Sequence, residues 1–361
     1  MKAALNVLDL FSGCGGFSLG AHQAGFNVAM AVDVDPILTS SFRTNFPRTP
    51  LVLHDIAQLS GRDVLNEVGR IDGVFGGPPC QAFSAIGHKR ADDPRRELLV
   101  HFFRVVSEIR PAFFVAENVQ GLQLESAQKT LNMGLDYVRR HYRILGPILL
   151  NAADYGAATK RPRLFIIGID PDRCDAVSSE QFELVKRTPA TVRQAIGDLE
   201  NASFVENSGG FDYWRINRPG RPARYAEGLR APTREFTGHM HTTHTKEVRR
   251  RFSKVKQGEI DRVGRHPRLS WEGQCPTLRA GTGNDRGSYQ AVRPLHPTEH
   301  RVITVREAAR LQGFPDTFKF HPTTWHSFRM IGNSVSPIMA RSIFDAMASA
   351  MGRVPTGLAA E

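Results

Sequence analysis

A chain of 361 residues can bury a sizeable core, and its length favours two domains over one. It is 41% hydrophobic and 23% charged, which is ordinary for a globular protein, and no apolar run approaches the roughly 20 residues of a membrane helix. We therefore expect a soluble, intracellular protein without a membrane partner. The four cysteines show no paired spacing, which argues against a zinc cluster and against a disulfide framework.

The net charge of +11 is unevenly distributed. Residues 188–324 contain 23 Lys and Arg against 14 Asp and Glu, a net charge of +9, whereas the rest contains 24 against 22, a net charge of +2. A basic segment attached to a near-neutral one is typical of a polyanion-binding module on a separate chemical core. A solubilising surface would give the same charge, so both interpretations stay open at this point.

Short apolar runs alternate with helical stretches in the first half of the chain. The strand candidates are residues 6–11, 28–32, 51–53, 71–75, 113–115 and 164–169. Between them lie segments such as 98–109, whose apolar residues recur at helical spacing. Strand and helix in alternation predict an α/β fold with a doubly wound, mostly parallel sheet.

The alternation fails after about residue 186. The stretch to about residue 303 is rich in Pro, Gly, Arg and His, and it predicts a second, smaller, irregular domain of strands and loops with one helix at 246–255. A short helix at 304–311 follows, where Thr304 and Glu307 predict a capping box. A last helix is expected from residue 336 to about residue 351. The predicted domains are 1–187 plus 325–361, and 188–324.

A glycine-rich turn follows the first strand candidate. The segment DLFSGCGGF, residues 9–17, indicates a strand, a turn and the start of a helix. Gly13, Gly15 and Gly16 would let the backbone approach a ligand closely, and the helix N-terminus behind them favours a polar or anionic group. A plain structural turn is the alternative.

Two acidic residues follow the second and third strand candidates. Asp33 lies where a carboxylate can accept hydrogen bonds from ribose hydroxyls, and Asp55 could face an adenine ring. With the glycine turn, they favour a nucleoside cofactor. The turn lacks the G-x-G-x-x-G spacing of NAD and FAD sites and the Lys-Ser/Thr of a phosphate-binding loop, which argues against a pyrophosphate ligand.

A single cysteine, Cys80, follows a Gly-Gly-Pro-Pro run after the strand candidate 71–75. Glycines and prolines end regular pairing and stiffen the backbone, so we expect Cys80 at the carboxyl end of a strand, where open α/β sheets bind ligands. It is a candidate nucleophile. The alternative is a small buried hydrophobic residue, the usual fate of a free cysteine.

Charged residues flank two further strand candidates. Glu117 follows the strand at 113–115, and Arg161 and Arg163 precede the strand at 164–169. A nucleophile, an acid and fixed positive charge at one sheet edge would form a reaction centre. For Glu117 the alternative is a helix cap.

Six segments, in this order, are similar to the motif series of DNA (cytosine-5)-methyltransferases of the bacterial modification type: residues 9–17, 77–81, 117–119, 161–163, 310–315 and 332–335. The resemblance implies the S-adenosylmethionine-dependent methyltransferase fold, with S-adenosyl-L-methionine as methyl donor and no metal. It assigns Phe11, Asp33, Asp55, Pro79 and the glycines of the turn to the cofactor. It also implies that Asn333 and Val335 complete the cofactor pocket.

The resemblance implies a covalent mechanism. The Cys80 thiolate would add to C6 of a cytosine flipped out of double-stranded DNA, so that C5 can attack the methyl group. Glu117 would hydrogen-bond N3 and the exocyclic amine, and Arg161 and Arg163 would hold the base. Two positions depart from the family pattern, Thr159 where Gln is usual and Ser336 where Pro is usual. The first weakens the explanation of how the arginines are supported, and neither removes a catalytic group.

The resemblance also assigns the DNA-binding parts. Residues 82–98 would form a mobile loop that closes over DNA, with an ordinary solvated basic loop as the alternative. Residues 188–324 would be the target-recognition domain. Within it, 249–251 and Lys254 are expected at phosphates, with a solvated helix face as the alternative. The segments 275–279 and 281–286 are candidates for groove contact.

Three histidines in this domain invite a metal-site interpretation. His239, His241 and His244 have no carboxylate or cysteine at ligand spacing, so we favour a polar loop or a DNA contact. For the whole chain we expect a monomer in the cytoplasm, associated with the nucleoid, and a cognate restriction endonuclease that acts separately.

Three alternatives remain beside this interpretation. An RNA cytosine-5 methyltransferase would use the same chemistry, but the long basic domain favours a reader of duplex DNA. A catalytically silent DNA-binding module could keep the fold, although the intact Cys80, Glu117 and arginines speak against it. An NAD-dependent oxidoreductase is the third alternative, and binding of S-adenosylmethionine against NAD would distinguish it.

Overall fold

The computed structural model describes residues 4–79, 97–217, 223–281 and 292–353. The chain divides into two compact units: unit 1 is residues 1–151, 162–186 and 339–361, and unit 2 is residues 152–161 and 187–338. No helix within the described ranges is both long enough and apolar enough to cross a membrane. The units are defined by packing alone, so the assignment of 1–187 plus 325–361 to catalysis and of 188–324 to DNA recognition stays a prediction.

Unit 1 is built on a seven-stranded sheet. Its strands are β1 (Asn6–Leu10), β2 (Asn27–Asp33), β3 (Leu51–Leu53), β4 (Gly73–Gly76), β5 (Phe113–Asn118), β6 (Arg143–Asn151) and β7 (Pro162–Ile169). The spatial order is β3-β2-β1-β4-β5-β7-β6, and pairing is parallel except that β7 runs antiparallel to β5 and β6. The predicted doubly wound, mostly parallel sheet is confirmed.

Helices cover both faces of this sheet. The helices of unit 1 up to residue 186 are α1 (Gly16–Gln23), α2 (Phe42–Asn45), α3 (Gly61–Val68), α4 (Glu97–Ile109), α5 (Glu125–Leu135) and α6 (Ser179–Leu184). On one face, Leu8 and Val74 join a buried cluster with Phe102 and Phe103 of α4. On the other, the Phe75 ring lies 4.8 Å from the ring of Phe17 in α1. Successive strand residues point to opposite faces, so both faces are apolar because both are covered.

Unit 2 contains a small antiparallel sheet and short helices. Its strands are β8 (Ala202–Ser208), β9 (Phe211–Ile216) and β10 (Glu235–Thr237), in the order β10-β9-β8. Its helices are α7 (Val192–Ile196), α8 (Arg224–Leu229), α9 (Lys246–Phe252), α10 (Val305–Gln312) and α11 (Thr324–Asn333). The last helix, α12 (Pro337–Ala350), lies in unit 1 from residue 339 onward. The predicted irregular second region of strands and loops is confirmed.

Several elements were absent from the sequence-based assignment, among them the strand β6 and the helix α11. The edge strand β6 was missed because Gly146 and Pro147 interrupt its apolar pattern, and proline is tolerated in sheets mainly at edges. Helix α11 was missed because its polar and aromatic residues have modest helix propensity. The capping box of α10 is confirmed, since Thr304 Oγ1 accepts from the Glu307 N–H at 3.2 Å and a Glu307 carboxylate oxygen accepts from the Thr304 N–H at 2.7 Å.

Candidate active site

The backbone turns sharply where β1 ends. Phe11 has a φ of 64°, and Gly13 and Gly15 have φ values of 51° and 92°. The left-handed region suits glycine, but it strains a residue with a side chain, by about 1–3 kcal/mol. Gly15 caps α1, and a Cβ added at Gly13 would meet no atom within 4 Å. The predicted glycine turn therefore leaves open space beside Gly13.

Asp33, at the end of β2, holds this turn. One of its carboxylate oxygens accepts from the Gly13 N–H at 2.8 Å, and the other accepts from the N–H groups of Val34 and Asp35 at 2.7 and 2.9 Å. Burial raises the pKa of Asp33, and these backbone hydrogen bonds oppose that rise. The carboxylate thus lies beside the turn, where the sequence predicted an acid.

Three buried polar side chains, those of Ser12, Ser18 and Asp9, lie at this turn. Ser12 Oγ is buried and has no hydrogen-bond partner within the part of the chain that the structure describes. Ser18 of α1 donates to Asp9 at 2.5 Å, and burial raises the pKa of Asp9 well above its ordinary value. A buried hydroxyl without a partner is unfavourable, so Ser12 is suited to a ligand that supplies one.

The ends of β2 and β3 carry exposed apolar side chains. Asp33 pairs with Leu53 across the two strands, and Val34 and Leu53 are 67% and 48% exposed. Asp55 is exposed, and one of its carboxylate oxygens accepts from the Ala57 N–H at 2.9 Å. This sheet edge offers an apolar surface with a carboxylate at each strand end.

The run that leads to Cys80 packs closely on its neighbours. A Cβ at Gly76 would collide with the Leu10 carbonyl, and one at Gly77 would lie 2.8 Å from Glu117 Oε2. Asn118 Nδ2 donates to the Pro78 carbonyl at 3.4 Å. Pro79 is half-buried and is the last described residue of this run, so Cys80 lies outside the described residues. The predicted lid at 82–98 also lies outside them, apart from its last two residues.

Glu117 and Arg163 form a buried ion pair. Arg163 Nε lies 2.8 Å from Glu117 Oε1, and the two side chains are 12% and 11% exposed. The strands β5 and β7 are antiparallel, with Glu117 opposite Phe165, so Arg163 is a diagonal neighbour two residues away. The structure brings together Glu117, Arg163 and Gly77 at the carboxyl ends of β4 and β5.

Comparison with known proteins decides the family. The profile of the C-5 cytosine-specific DNA methylases matches residues 5–349. The chain belongs to this family. It is 41% identical to the Type II methyltransferase M.XorII of Xanthomonas oryzae pv. oryzae, with 96% of this chain and 85% of the relative covered. It is 31% identical to M.DdeI of Desulfomicrobium norvegicum, with 94% and 87% covered.

A solved structure agrees. A prophage-encoded protein of E. coli, described as a DNA modification methyltransferase, superposes with a TM-score of 0.83 at 39% identity and covers 97% of this chain and all of its own. The methylase is therefore a DNA cytosine-C5 methyltransferase with S-adenosylmethionine as methyl donor, as the sequence predicted. The Ser12 hydroxyl, which has no partner among the described residues, fits a polar nucleoside cofactor at this turn, as do the open space at Gly13 and the Asp33 carboxylate.

Arg161 and Arg163 of the methylase lie in different units. Arg161 is fully buried in unit 2, and its two terminal nitrogens donate to the carbonyls of Leu278 and Gly332 at 3.1 and 2.8 Å. Thr159, the departure from the family pattern, is also buried and donates to the Cys275 carbonyl at 3.2 Å. Both side chains therefore stabilise backbone segments of unit 2 by hydrogen bonds to their carbonyls.

Asn333 and Val335 belong to unit 2, whereas the glycine turn, Asp33 and Asp55 belong to unit 1. Asn333 is exposed at the end of α11, and Val335 is buried. Ser336, the second departure, donates to the Gln312 carbonyl at 2.8 Å. This hydroxyl joins two of the motifs that carried the resemblance, 310–315 and 332–335.

The 310–315 motif of the methylase contains a buried ion network. Arg310 donates to both carboxylate oxygens of Asp316 at 2.7 and 2.6 Å and lies 3.4 Å from Asp198, which also pairs with Arg230 at 2.6 Å. Arg306 donates to three backbone carbonyls, those of Thr237, Pro315 and Phe318. Paired in this way, buried charges hold the loops of unit 2 around α10.

Of the three histidines between residues 239 and 244 of unit 2, His239 and His241 contact each other and Trp214, whereas His244 packs on Phe252. His239 is buried with Nδ1 2.9 Å from Thr304 Oγ1, His241 stacks on Trp214 with ring centroids 6.0 Å apart, and His244 Nε2 accepts from the Val302 N–H at 3.3 Å. Their placement in the polar loop agrees with the preferred interpretation, which stays a prediction.

The predicted phosphate-binding cations lie on and after α9. Arg249, Arg250 and Lys254 are exposed, whereas Arg251 lies 3.0 Å from Asp261. The groove candidates 275–279 are described, with Cys275 buried, but residues 282–286 of the second candidate lie outside the described ranges.

Sequence reasoning missed two residues of the site. Ser12 and Asn118 were quoted within motifs but received no role. Serine after a strand and asparagine after a glutamate carry no signal by themselves, because their importance comes from what the fold places beside them. Only the buried hydroxyl and the contact to Pro78 reveal it.

Proposed function

We propose that this methylase transfers a methyl group to C5 of a cytosine that is flipped out of double-stranded DNA, with Cys80 as the nucleophile. The single observation that carries the proposal is the buried Glu117–Arg163 pair beside Gly77, three residues before Cys80. A carboxylate held in place by a guanidinium can bind the Watson–Crick edge of an extruded base.

The proposed cofactor residues lie around the glycine turn. Phe11, Gly13, Gly15, Gly16 and Pro79 would border S-adenosylmethionine, with Asp33 at the ribose and Asp55 at the adenine. Asn333 and Val335 would close the pocket. S-adenosylmethionine supplies an electrophilic methyl group. The Ser12 hydroxyl supports this placement, because a bound ligand would give it the partner that it lacks within the described residues.

The reaction proceeds in three steps. The Cys80 thiolate forms a bond to C6 of the cytosine, which moves electron density to C5. C5 would then attack the electrophilic methyl carbon that bound S-adenosylmethionine supplies, and the electron pair of the broken bond would stay with the donor's sulfur. Loss of the C5 proton to a base and release of Cys80 from C6 restore the aromatic ring.

Glu117, Arg163 and Arg161 have different roles in supporting the reaction. N3 takes up a proton as the thiolate adds, and the Glu117 carboxylate accepts hydrogen bonds from that N3–H and from the exocyclic amine. Arg163 fixes the carboxylate for this contact. Arg161 is a positioning residue, because its terminal nitrogens are bound to backbone carbonyls. Asn118 fixes the Pro78 carbonyl and thereby the run that presents Cys80.

Residues 188–324 recognise the DNA. Their net charge of +9 and the exposed Arg249, Arg250 and Lys254 support phosphate contacts there. Because the relatives M.XorII and M.DdeI are named Type II methyltransferases, we infer that this chain protects a site that a separate restriction endonuclease cuts. We also propose that it acts as a monomer.

Bisulfite sequencing of plasmid from a host that expresses the chain tests this proposal. We expect protected cytosines at one recurring sequence, and none in a host that expresses Cys80→Ala. Transfer of tritium from labelled S-adenosylmethionine to duplex DNA but not to tRNA separates DNA from RNA methylation. Label in tRNA alone would overturn the proposal.

A further inference from the structure

One face of α11 supports two arginine-bearing segments of unit 2. Phe328 and Gly332 are four residues apart and therefore share a helix face. The guanidinium of Arg293 lies 4.2 Å from the centroid of the Phe328 ring. One turn further on, Gly332 packs against the backbone of Arg279 and Ala280, where a Cβ on the glycine would come within 2.6 Å of Ala280 Cα.

The backbone at Arg293 is fixed. Its carbonyl accepts a hydrogen bond from His266 Nδ1 at 2.7 Å, and the next carbonyl, of Pro294, accepts from the Ile303 N–H at 2.9 Å. The Leu295 N–H donates to the Pro267 carbonyl at 2.8 Å. The position of the Arg293 Cα is thus set independently of what its guanidinium binds.

The backbone at Arg279 is fixed as well. The preceding carbonyl, of Leu278, accepts from Arg161 at 3.1 Å, and the same guanidinium binds the Gly332 carbonyl at 2.8 Å. Arg161 therefore ties the segment before Arg279 to the end of α11. The backbone positions of both Arg279 and Arg293 are therefore fixed by hydrogen bonds to neighbouring segments.

The guanidiniums of Arg279 and Arg293 differ from those of three buried arginines of unit 2. Arg301, Arg306 and Arg310 are occupied by carboxylates or backbone carbonyls. Among the described residues, neither Arg279 nor Arg293 has a carboxylate within 4 Å or an acceptor for its guanidinium. Arg293 is half-buried, and burial lowers its pKa. A stacked, partly desolvated guanidinium keeps its planar edge of N–H donors available for an anion.

We propose that Arg279 and Arg293 form a clamp for backbone phosphates of the target DNA on this face of α11. The clamp rests on the proposed DNA-methylating function. Four residues, about 6 Å along the axis of α11, separate Phe328, which the Arg293 guanidinium contacts, from Gly332, which the Arg279 backbone contacts. Stacking on Phe328 holds the Arg293 guanidinium in one orientation, so little side-chain freedom is lost when a phosphate binds. The clamp contributes affinity and register, not sequence readout.

Salt titration of binding to the target duplex tests the clamp. Each phosphate contact contributes about 0.9 to the slope of log affinity against log salt, so Arg293→Met should flatten the slope by about 0.9, and the double change with Arg279→Met by about 1.8. Between 50 and 200 mM salt, the ratio of wild-type to Arg293→Met affinity should therefore fall about 3.5-fold. Arg293→Lys should retain most of the slope, because it keeps the charge.

Arg140→Met is the matched control. Arg140 is exposed in unit 1, and its loss removes the same charge, so this variant should keep the wild-type slope. S-adenosylmethionine affinity and the melting temperature should stay unchanged in the arginine variants. A wild-type slope in Arg293→Met, or an equal loss in Arg140→Met, would overturn the clamp.

The clamp and the proposed function fail in different ways. If the wild-type chain labels no cytosine in duplex DNA, the proposed function is wrong and the clamp with it. If the wild type labels duplex DNA while the slope of the double variant equals that of the wild type, the clamp alone is wrong. Should Arg293→Met not fold, Phe328→Leu is the second variant, because it removes the stacking contact and keeps the charge of Arg293. At 200 mM salt, the DNA affinity of Phe328→Leu should lie between those of wild type and Arg293→Lys. An affinity outside that range would contradict the clamp.

Discussion

Arg163 Nε lies 2.8 Å from Glu117 Oε1, and this ion pair joins the start of β7 to the end of β5. Both side chains are nearly nine-tenths buried, so each charge depends on the other for stabilisation. The pair orients the Glu117 carboxylate at the sheet edge where β4 ends and the Gly-Pro-Pro run begins. Its consequences for activity and stability can be measured separately.

Arg163→Met should leave a buried carboxylate without its cation. We expect a loss of about 3–5 kcal/mol in the free energy of unfolding, measured by urea denaturation, and a fall in kcat of at least about 100-fold. Adding Glu117→Gln should recover part of the stability, because the buried negative charge is gone, but none of the activity. A double variant less stable than Arg163→Met would contradict this account.

Gly77→Ala should disturb the position of Glu117 rather than the fold. The new Cβ would lie 2.8 Å from Glu117 Oε2, and the carboxylate is the flexible end of a side chain, so it moves. A displacement near 1 Å can lower kcat about 100-fold, with little change in melting temperature. Gly228→Ala is the control, because its Cβ would meet nothing within 4 Å and Gly228 lies in α8. Equal kcat in both variants would refute the steric argument.

Asp33→Asn should weaken S-adenosylmethionine binding about 10- to 150-fold, because a hydrogen bond to a charged group is lost. Calorimetry measures the dissociation constant. Burial raises the pKa of Asp33 above its ordinary 3.8. Its ionised form is therefore lost at higher pH than for an exposed aspartate, and wild-type affinity should fall on acidification before pH 3.8 is reached. The Asp33→Asn variant should lack this component. Identical pH profiles in the two proteins would argue against Asp33 as the ribose ligand.

His239 should make the stability of unit 2 depend on pH. Burial lowers its pKa to about 4, against 6.5 when exposed, so below pH 6.5 the unfolded chain takes up a proton that the folded chain does not. The contribution is complete above pH 6.5 and is lost as the pH falls towards 4, by about 3 kcal/mol at most. In His239→Gln the melting temperature should depend less on pH between pH 7.5 and 5 than it does in the wild type. If the variant keeps the wild-type pH dependence, His239 is not the cause of that dependence.

The strand ends that carry the site were predictable from sequence because they depend on local signals. Apolar runs followed by Asp33, Glu117 or the Gly-Pro-Pro sequence mark the carboxyl ends of parallel strands, which meet at one edge. The capping box of Thr304 and Glu307 is equally local, since both partners lie within one helical turn. These predictions needed no knowledge of distant contacts.

The different roles of Arg161 and Arg163 could not be predicted from local sequence signals. Two residues apart in sequence, they looked equivalent, yet one binds carbonyls in unit 2 and the other pairs with Glu117 in unit 1. The difference arises because β7 begins at Pro162 and pairs antiparallel with β5. Strand direction and register are tertiary properties, which no pattern in the 161–163 motif encodes.

The central claim is that Cys80 attacks C6 of the target cytosine, and covalent capture tests it most directly. Wild-type protein is incubated with S-adenosylmethionine and a duplex that carries 5-fluorocytosine at the target position, and the product is resolved by denaturing electrophoresis and intact mass. The account predicts one protein–DNA adduct of 1:1 mass, because the C5 fluorine cannot leave as a proton does, and no adduct with Cys80→Ser. Methyl transfer by Cys80→Ser at the wild-type rate, or an active wild type that forms no adduct, would contradict it.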